Sequence, residues 1–196
     1  MKKFIVVAAA VVMMMGLAGS AMAANSLAQG STAISVGMGD SVYSHTIAPL
    51  DAVGFPSNNV VDISGRYFVA KDMALYGGFG LQLNSGDWDG TYLGLTVGAR
   101  KYLSTNDFAP FIGGQLSYIT VDGDGPVGPG GANATFVDVS ILDISAMFGA
   151  EYFFSKDFSI EGSIGIGLGQ WEDDVTNTDS TYLGTRTVGV HANFYF

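Results

Sequence analysis

Apolar residues occupy every second position in several segments, and this alternation constrains the fold more than any other feature of the chain. In the segment 160–168 (IEGSIGIGL), small or polar residues separate the apolar ones, which are Ile160, Ile164, Ile166 and Leu168. The segments 93–100 and 187–196 have the same period of two. Such a period indicates β-strands with one apolar face. The sequence therefore predicts an all-β fold.

The residues between the apolar positions indicate what each face of a strand contacts. They are mainly Gly, Ser, Thr, Asn and Gln, and only 13% of the whole chain is charged. A soluble β-sandwich would carry many Lys and Glu residues on its outer face. Small polar residues instead suit the crowded interior of a narrow barrel, and a continuous apolar face suits lipid. This pattern predicts a transmembrane β-barrel.

A repeated motif predicts three tight hairpins. The segments 65–80, 99–114 and 150–165 each contain a strand, a short turn with an aspartate, and a Met or Phe that opens the next strand. The other four connections are longer and rich in Gly, Pro, Asn and Asp, at roughly 40–59, 84–90, 122–136 and 172–180. Together the seven connections join eight antiparallel strands, expected at roughly 31–40, 60–70, 73–83, 91–103, 109–121, 137–154, 158–171 and 181–196.

The N-terminal residues 1–23 have the composition of a secretory signal peptide. Two lysines precede the apolar run 4–18, which is shorter than the roughly 20 residues of a transmembrane helix. Residues 21–23 have the small-x-small form of a cleavage site, so we expect cleavage after Ala23 and one mature domain over 24–196. Without those lysines, 6 basic and 18 acidic residues remain, and the net charge of −12 disfavours binding to nucleic acid.

With these elements, the chain resembles the small eight-stranded outer-membrane barrels, the class of the OmpA membrane domain and OmpX. The three hairpins and the C-terminal stretch HANFYF (191–196) carry the resemblance, which covers the whole mature chain. It implies short periplasmic turns, longer acidic extracellular loops and a location in the outer membrane of a Gram-negative-type bacterium. It also implies recognition by the barrel-assembly machinery, whose C-terminal signal corresponds here to Val190, Phe194 and Phe196.

The inward-facing positions include a few charged residues at similar distances from their turns: Arg66, Arg100, Glu151 and Glu161. His191 lies at a related level near the chain end. Because unpaired charges in a dry lumen are costly, we expect the two arginines to pair with the two glutamates. Such a network either plugs the barrel or forms an ion path or gate. The plug is favoured, because side chains nearly fill an eight-stranded interior.

Aromatic residues cluster near both predicted ends of the strands, as the two girdles of a barrel in lipid do. The outer set is Trp88, Tyr92, Tyr118, Trp171 and Tyr182. The set near the turns is Phe108, Tyr152, Phe154, Phe158 and Phe196. In the alternative interpretation, that of an adhesin, Trp88 and Trp171 would be binding anchors. Asp62 and Asp143 share the inward parity and are expected to face water at the outer mouth.

The predicted long loops are acidic and contain no Lys or Arg. DGDG (122–125) and WEDDVTNTD (171–179) bring oxygen ligands for Ca²⁺ or Mg²⁺ together, but neither has the spacing of a calcium loop. We therefore expect no specific metal site, and acidic loops bridged by divalent cations to the phosphates of lipopolysaccharide. Catalysis would need a base beside a nucleophile at the outer rim. His45, with Ser41, Ser44 and Asp51 nearby in the sequence, does not make a convincing triad.

The sequence therefore predicts a non-enzymatic outer-membrane barrel with a structural or surface-interaction role, which displays its loops on a plugged barrel. A narrow, low-conductance porin-like channel is the first alternative. A lipid-modifying outer-membrane enzyme is the second. No cofactor is expected, and the pattern does not identify a surface ligand, because one barrel architecture hosts several functions.

Overall fold

The computed structural model describes residues 27–38, 61–85, 89–126 and 133–196, which form eight antiparallel strands. The strands are β1 (Thr32–Met38), β2 (Val61–Ala70), β3 (Met73–Asn84), β4 (Asp89–Tyr102), β5 (Phe108–Pro126), β6 (Asn133–Ser155), β7 (Phe158–Asp173) and β8 (Thr178–Tyr195). Each strand pairs with its sequence neighbours, and β8 pairs with β1, so the sheet closes into a barrel. This confirms the prediction of an eight-stranded antiparallel barrel. Within the described residues, no helix is long and apolar enough to cross a membrane.

Three short connections, residues 71–72, 103–107 and 156–157, lie at one end of the barrel, which we call the turn end. The aspartate of each repeated motif lies in one of them, and its backbone carbonyl accepts a hydrogen bond from the end of a neighbouring strand. The backbone N–H donors are Tyr102 to Asp72 (2.7 Å), Phe153 to Asp107 (2.8 Å) and Tyr195 to Asp157 (2.9 Å). The repeated motif therefore marks the points where successive hairpins are joined.

Between its two ends, the barrel has a polar interior and an apolar outer surface. On β7, the side chains of Ile164, Ile166 and Leu168 are exposed on the outside, whereas Glu161 and Ser163 are buried inside. The other strands alternate in the same sense through the turn half of the barrel, because the backbone pleat sends successive side chains to opposite faces. This arrangement suits a sheet whose outer face contacts lipid and whose inner face fills a narrow lumen.

At the opposite end, which we call the loop end, several strands are longer than the sequence predicted. The predicted loop 122–136 is mostly strand, since β5 and β6 remain paired out to Pro126 and Asn133. The predicted loop 172–180 contains only a four-residue turn, 174–177, between β7 and β8. The Oδ1 atom of Asp173 accepts hydrogen bonds from the backbone N–H groups of Val175 and Thr176 in this turn, at 2.9 and 3.1 Å.

Other predicted features lie outside the described residues. They are the signal peptide 1–23 and its cleavage site, the first long loop with His45, and Trp88. The side chain of Asp62, at the start of β2, also lies outside the described part of the chain.

Glycines inside the barrel leave room for large side chains from adjacent strands. A Cβ atom at Gly98 would lie 2.5 Å from the hydroxyl oxygen of Tyr76 and 2.7 Å from the carbonyl oxygen of Gly114. At the outward-facing Gly77, by contrast, the nearest atom would be the Thr96 carbonyl oxygen, at 3.7 Å. A glycine is therefore required at position 98 by close packing, and not at position 77.

Candidate functional site

Arg66 of β2 lies at the centre of a charged network in the turn half of the lumen. Its Nη1 atom is 3.0 Å from Oε2 of Glu151 on β6, and its Nη2 atom is 2.8 Å from Oε2 of Glu161 on β7. In a ring of eight strands, β2 and β6 stand on opposite walls. Arg66 is 1% exposed and Glu151 is 0% exposed, so this ion pair crosses the lumen out of contact with solvent.

Arg100 of β4 forms the second pair and shares the same acceptor. Its Nη1 atom is 2.7 Å from Oε2 of Glu161, which thereby contacts both arginines. The Arg100 guanidinium also lies over the rings of Tyr76 and Phe111, 4.7 and 4.4 Å from their centroids. These distances fit cation–π contacts, which stabilise a guanidinium away from water. His191 Nδ1 is 3.5 Å from Oε1 of Glu161, so the structure brings all five predicted lumen residues together.

Glu151 accepts further hydrogen bonds from neutral groups that the sequence analysis did not single out. The donors are the hydroxyl groups of Tyr102 (2.7 Å) and Ser159 and the Nδ2 atom of Asn193 (2.9 Å), together with the Tyr195 hydroxyl. These four residues could have been found from the alternation, because each lies two or four residues from a predicted lumen residue on the same strand.

An aromatic layer closes the turn end beneath this network. The rings of Phe68 and Phe111 contact Tyr102, with centroids 5.6 and 5.7 Å apart, and Phe153 contacts Tyr195 at 5.3 Å. Leu27, which precedes β1, is 2% exposed and packs into the same cluster. The charged network is therefore covered on its turn side by tightly packed apolar groups.

Part of the predicted outer girdle is wrong, because three of its members do not face outwards. Tyr92 is only 8% exposed and lies inside the barrel, and Trp171 and Tyr182 pack against the same internal cluster. The alternation explains this: Tyr92 has the inward parity of Gly94, and Tyr182 that of Gly184. Among the other described members of the outer set, Tyr118 is exposed on the outer surface.

The expectation that Asp143 faces water is also wrong. The side chain is 1% exposed, and the Tyr182 hydroxyl donates a hydrogen bond of 2.7 Å to its Oδ2 atom. The physical reason is the extra length of β5 to β8, which continue beyond the level of Asp143 and enclose it. Asp143 therefore belongs to the interior of the barrel and not to its mouth.

The aromatic residues near the turns form a band on the outer surface of β5 to β8. Their rings contact one another in sequence, with centroid separations of 5.0 Å for Tyr152–Phe154, 5.9 Å for Phe154–Phe158 and 5.3 Å for Phe158–Phe194. Phe108 and Phe196 are exposed on the same surface. This continuous band has the position of an interfacial aromatic girdle.

The C-terminal residues complete the barrel and lie at its closing seam. The Phe196 N–H donates to the Thr32 carbonyl at 2.9 Å, and the Thr32 N–H donates to the Phe196 carbonyl at 3.4 Å. The three residues predicted to act as an assembly signal, Val190, Phe194 and Phe196, are all exposed on the outer face. In the closed barrel their side chains face outwards, while their backbones pair with β1.

Acidic residues stand directly opposite one another on neighbouring strands at the loop end. The register pairs are Asp89–Asp124, Asp122–Asp138 and Glu172–Asp179. Like charges in directly opposite positions destabilise a sheet unless a counter-ion screens them. Among the described residues, no group of three or more His, Asp or Glu side chains is arranged to hold a metal ion.

The closed ring of eight antiparallel strands, with a polar middle zone inside and an apolar band outside, defines a small barrel of the outer-membrane type. A similar solved structure is the N-terminal β-barrel domain of Pseudomonas aeruginosa OprF, with a TM-score of 0.50 and 16% identity over 86% of this chain and 98% of that one. The attachment invasion locus protein Ail of Yersinia pestis (TM-score 0.43, 14% identity, 85% and 99% coverage) and Neisserial surface protein A (0.41, 14%, 82% and 94%) are also similar.

The likeness to the OprF domain confirms, at the level of fold, the resemblance to small eight-stranded outer-membrane barrels. No protein-family model and no curated protein matches the sequence.

Proposed function

We propose that this chain is a non-enzymatic outer-membrane barrel with a closed interior, which presents its loop end at the cell surface in a structural or surface-interaction role. The observation that carries the proposal is the buried network in which Arg66 bridges Glu151 and Glu161 across the lumen. An ion path would need these charges to contact water, whereas each is buried and hydrogen-bonded to protein groups.

The outer surface supports a membrane location. Outward-facing apolar residues extend from Met73 to Leu83 on β3 and from Phe158 to Leu168 on β7. Ten residues span about 33 Å along a strand, and a tilt of about 40° reduces this to about 25 Å along the barrel axis. That height equals the apolar band of outer-membrane barrels. Closure of the sheet also provides hydrogen-bond partners for backbone N–H and C=O groups, which lipid hydrocarbon cannot provide.

The interior supports a plug rather than a channel. From the turn end inwards, the lumen contains the aromatic layer and then the charged network, and both are buried. Side chains nearly fill an eight-stranded barrel, so no continuous aqueous path is expected. His191 contacts Glu161 inside this packed region, which supports a structural role for it and not a catalytic one.

The charge distribution supports an orientation with the loop end outside. At the turn end Lys71, Lys101 and Lys156 balance the three turn aspartates, whereas the opposed acidic pairs lie at the loop end. Divalent cations prefer carboxylate and phosphate oxygens. We propose that they bridge these carboxylates to the phosphates of surrounding lipopolysaccharide, which would also screen the like charges.

Export and assembly complete the proposal. Residues 1–23 direct the chain out of the cytoplasm and are removed after Ala23, which N-terminal sequencing of the mature protein tests. Val190, Phe194 and Phe196 act as the C-terminal signal for the barrel-assembly machinery before the seam closes. Their side chains are exposed on the outer face and do not pack inside the barrel, which supports a role in assembly.

Two experiments test the proposed function. In planar lipid bilayers, the purified protein should give no steady current, and a steady open-channel current would favour the porin-like alternative. On intact cells, a peptide tag inserted at 127–132 should be accessible to protease, and a tag at 104–107 should be protected. The reverse pattern of protection would refute the orientation.

A further inference from the structure

The interior of the loop end contains an apolar cluster that is separate from the aromatic layer of the turn end. Its buried members come from three adjacent strands, β4, β5 and β6, and they are Tyr92, Ile119, Val121, Val137, Val139 and Ile141. Trp171 of β7 and Tyr182 of β8 pack against them. We call this cluster the loop-end apolar layer. It involves five consecutive strands of the eight, and none of its side chains carries a charge.

A zone of small polar residues separates this layer from the charged network. Its buried members include Gln115 and Ser117 on β5, Asp143 and Ser145 on β6 and Ser163 on β7. The Asp143 carboxylate lies next to the apolar layer and accepts a hydrogen bond from the Tyr182 hydroxyl. Along β6, the ten residues from the apolar layer to the network correspond to about 33 Å of strand. The lumen therefore changes, from the turn end to the loop end, from aromatic to charged, then to polar and finally to apolar.

We infer that the loop-end apolar layer is a second barrier across the lumen, independent of the ion pairs. This inference rests on the proposed closed barrel and identifies the residues that close it towards the loop end. Apolar side chains in a constriction offer water no hydrogen bonds, so the constriction excludes water and hydrated ions. A solute that enters from the loop end meets this layer before it can reach the polar zone or the network.

The side chains of the layer fit such a barrier. Ile141 is fully buried, and Val121 and Val139 are nearly so, which means that solvent does not reach these side chains on β5 and β6. The layer makes no use of the arginines or glutamates, which lie in the other half of the barrel. Loss of the ion pairs should therefore leave the loop end closed, and loss of apolarity in the layer should open it.

The chain contains no cysteine, so a single introduced thiol can report access to the polar zone. Ser145→Cys places a thiol of similar size between the apolar layer and the network. The barrel is reconstituted in vesicles, and a charged, membrane-impermeant methanethiosulfonate is added to the side of the loop end. Thr181→Cys, at an exposed position of β8, is the positive control for labelling on that side. Urea-unfolded Ser145→Cys protein shows that the thiol itself is reactive.

We expect the thiol introduced at position 145 to remain unlabelled in the folded barrel. Adding Val139→Thr and Ile141→Thr, which keep β-branched shapes and introduce hydroxyl groups, should raise the labelling rate at least about tenfold by making the layer wettable. Adding Arg66→Met and Glu151→Gln instead should leave the rate low. Circular dichroism and the mobility of unheated samples on SDS gels verify that each variant is folded.

Labelling at position 145 with the layer intact would overturn the inference. The inference would also be overturned if the Arg66→Met and Glu151→Gln variant were labelled and the threonine variant were not. If the threonine pair does not fold, Val139→Thr alone replaces it, with a rise in labelling still expected. A separate result would refute the proposed function: a steady current through the unmodified protein would show that the barrel interior is not closed. Labelling at position 145 in a non-conducting barrel would refute only the inference that the apolar layer is a barrier.

Discussion

Replacement of Glu151 by glutamine tests how far the lumen network stabilises the barrel. Glu151 Oε2 lies 3.0 Å from Arg66 Nη1, and its oxygens accept from Tyr102, Asn193 and Tyr195. Glutamine keeps the shape of the side chain but removes its charge. It also turns one acceptor oxygen into an NH₂ group that faces other donors. The substitution therefore breaks one ion pair of Arg66 and leaves at least one hydrogen bond mismatched.

The expected magnitude follows from these contacts. Removing one partner of a buried ion pair costs about 3–5 kcal/mol. Arg66 retains its 2.8 Å contact with Glu161, so we expect the lower value, a loss of about 3 kcal/mol in the free energy of unfolding. Arg66→Met should cost a similar amount, because it leaves Glu151 without a cation. The double variant should lose less than the sum of the two, by about 1–3 kcal/mol, since the residues are in direct contact.

The assay is equilibrium unfolding in urea, in detergent micelles or lipid vesicles, with tryptophan fluorescence as the signal. Lys101 provides the matched control, because its Nζ atom pairs with Asp72 at 3.1 Å at the exposed turn end. Lys101→Met should change the unfolding free energy by less than about 1 kcal/mol. Strictly additive losses in the Glu151 and Arg66 variants, or no loss in either single variant, would refute the stabilising role of the network.

Three further predictions follow from other parts of the barrel. Gly98→Ala should sharply lower the refolding yield, because the added methyl group overlaps a tyrosine ring and a carbonyl oxygen, whereas Gly77→Ala should leave the yield unchanged; unheated SDS gels measure both. Mg²⁺ should raise the melting temperature in vesicles that contain lipopolysaccharide, and Asp122→Asn with Asp138→Asn should weaken this response while adding about 0.5 kcal/mol of stability without Mg²⁺. Phe196→Ala should reduce the folded protein in outer-membrane fractions but not refolding in detergent, and equal losses in both would contradict a role as assembly signal.

The strands and the inward charges could be predicted because both depend on a local pattern. In the turn half, lipid outside and a narrow lumen inside impose a strict alternation, so parity alone assigns Arg66 and Glu161 to the interior. The same parity assigns Tyr102 and Asn193 to that interior. Which glutamate is shared between the arginines could not be predicted, because it depends on the stagger of the strands around the barrel and not on the sequence of any one strand.

The loop end was harder to predict because the apolar residues of the alternation face inwards there, whereas in the apolar band they face outwards. Above the apolar band the outer face meets water, so Asp122 and Asp138 point outwards while Val121, Val139 and Ile141 point inwards. A stretch rich in Asp and Gly has the composition of a loop, although its backbone continues the sheet. Composition therefore predicts strand ends that are too early, and it leads to the prediction of Tyr92 and Tyr182 in the outer girdle and of Asp143 at the outer mouth.

The seam between β1 and β8 has a consequence for the order in which the barrel folds. Every other strand pair is a hairpin between neighbours in the chain, whereas this seam joins Ala33 to Tyr195, about 160 residues away. Loop-closure entropy makes such a distant contact slow to form, so the ring closes last. Until then, β1 and β8 are two free edges of an open sheet with an exposed apolar face, which is the form most prone to pair with other chains. Successful biogenesis of this protein therefore depends on keeping those two edges apart from other molecules until they find each other.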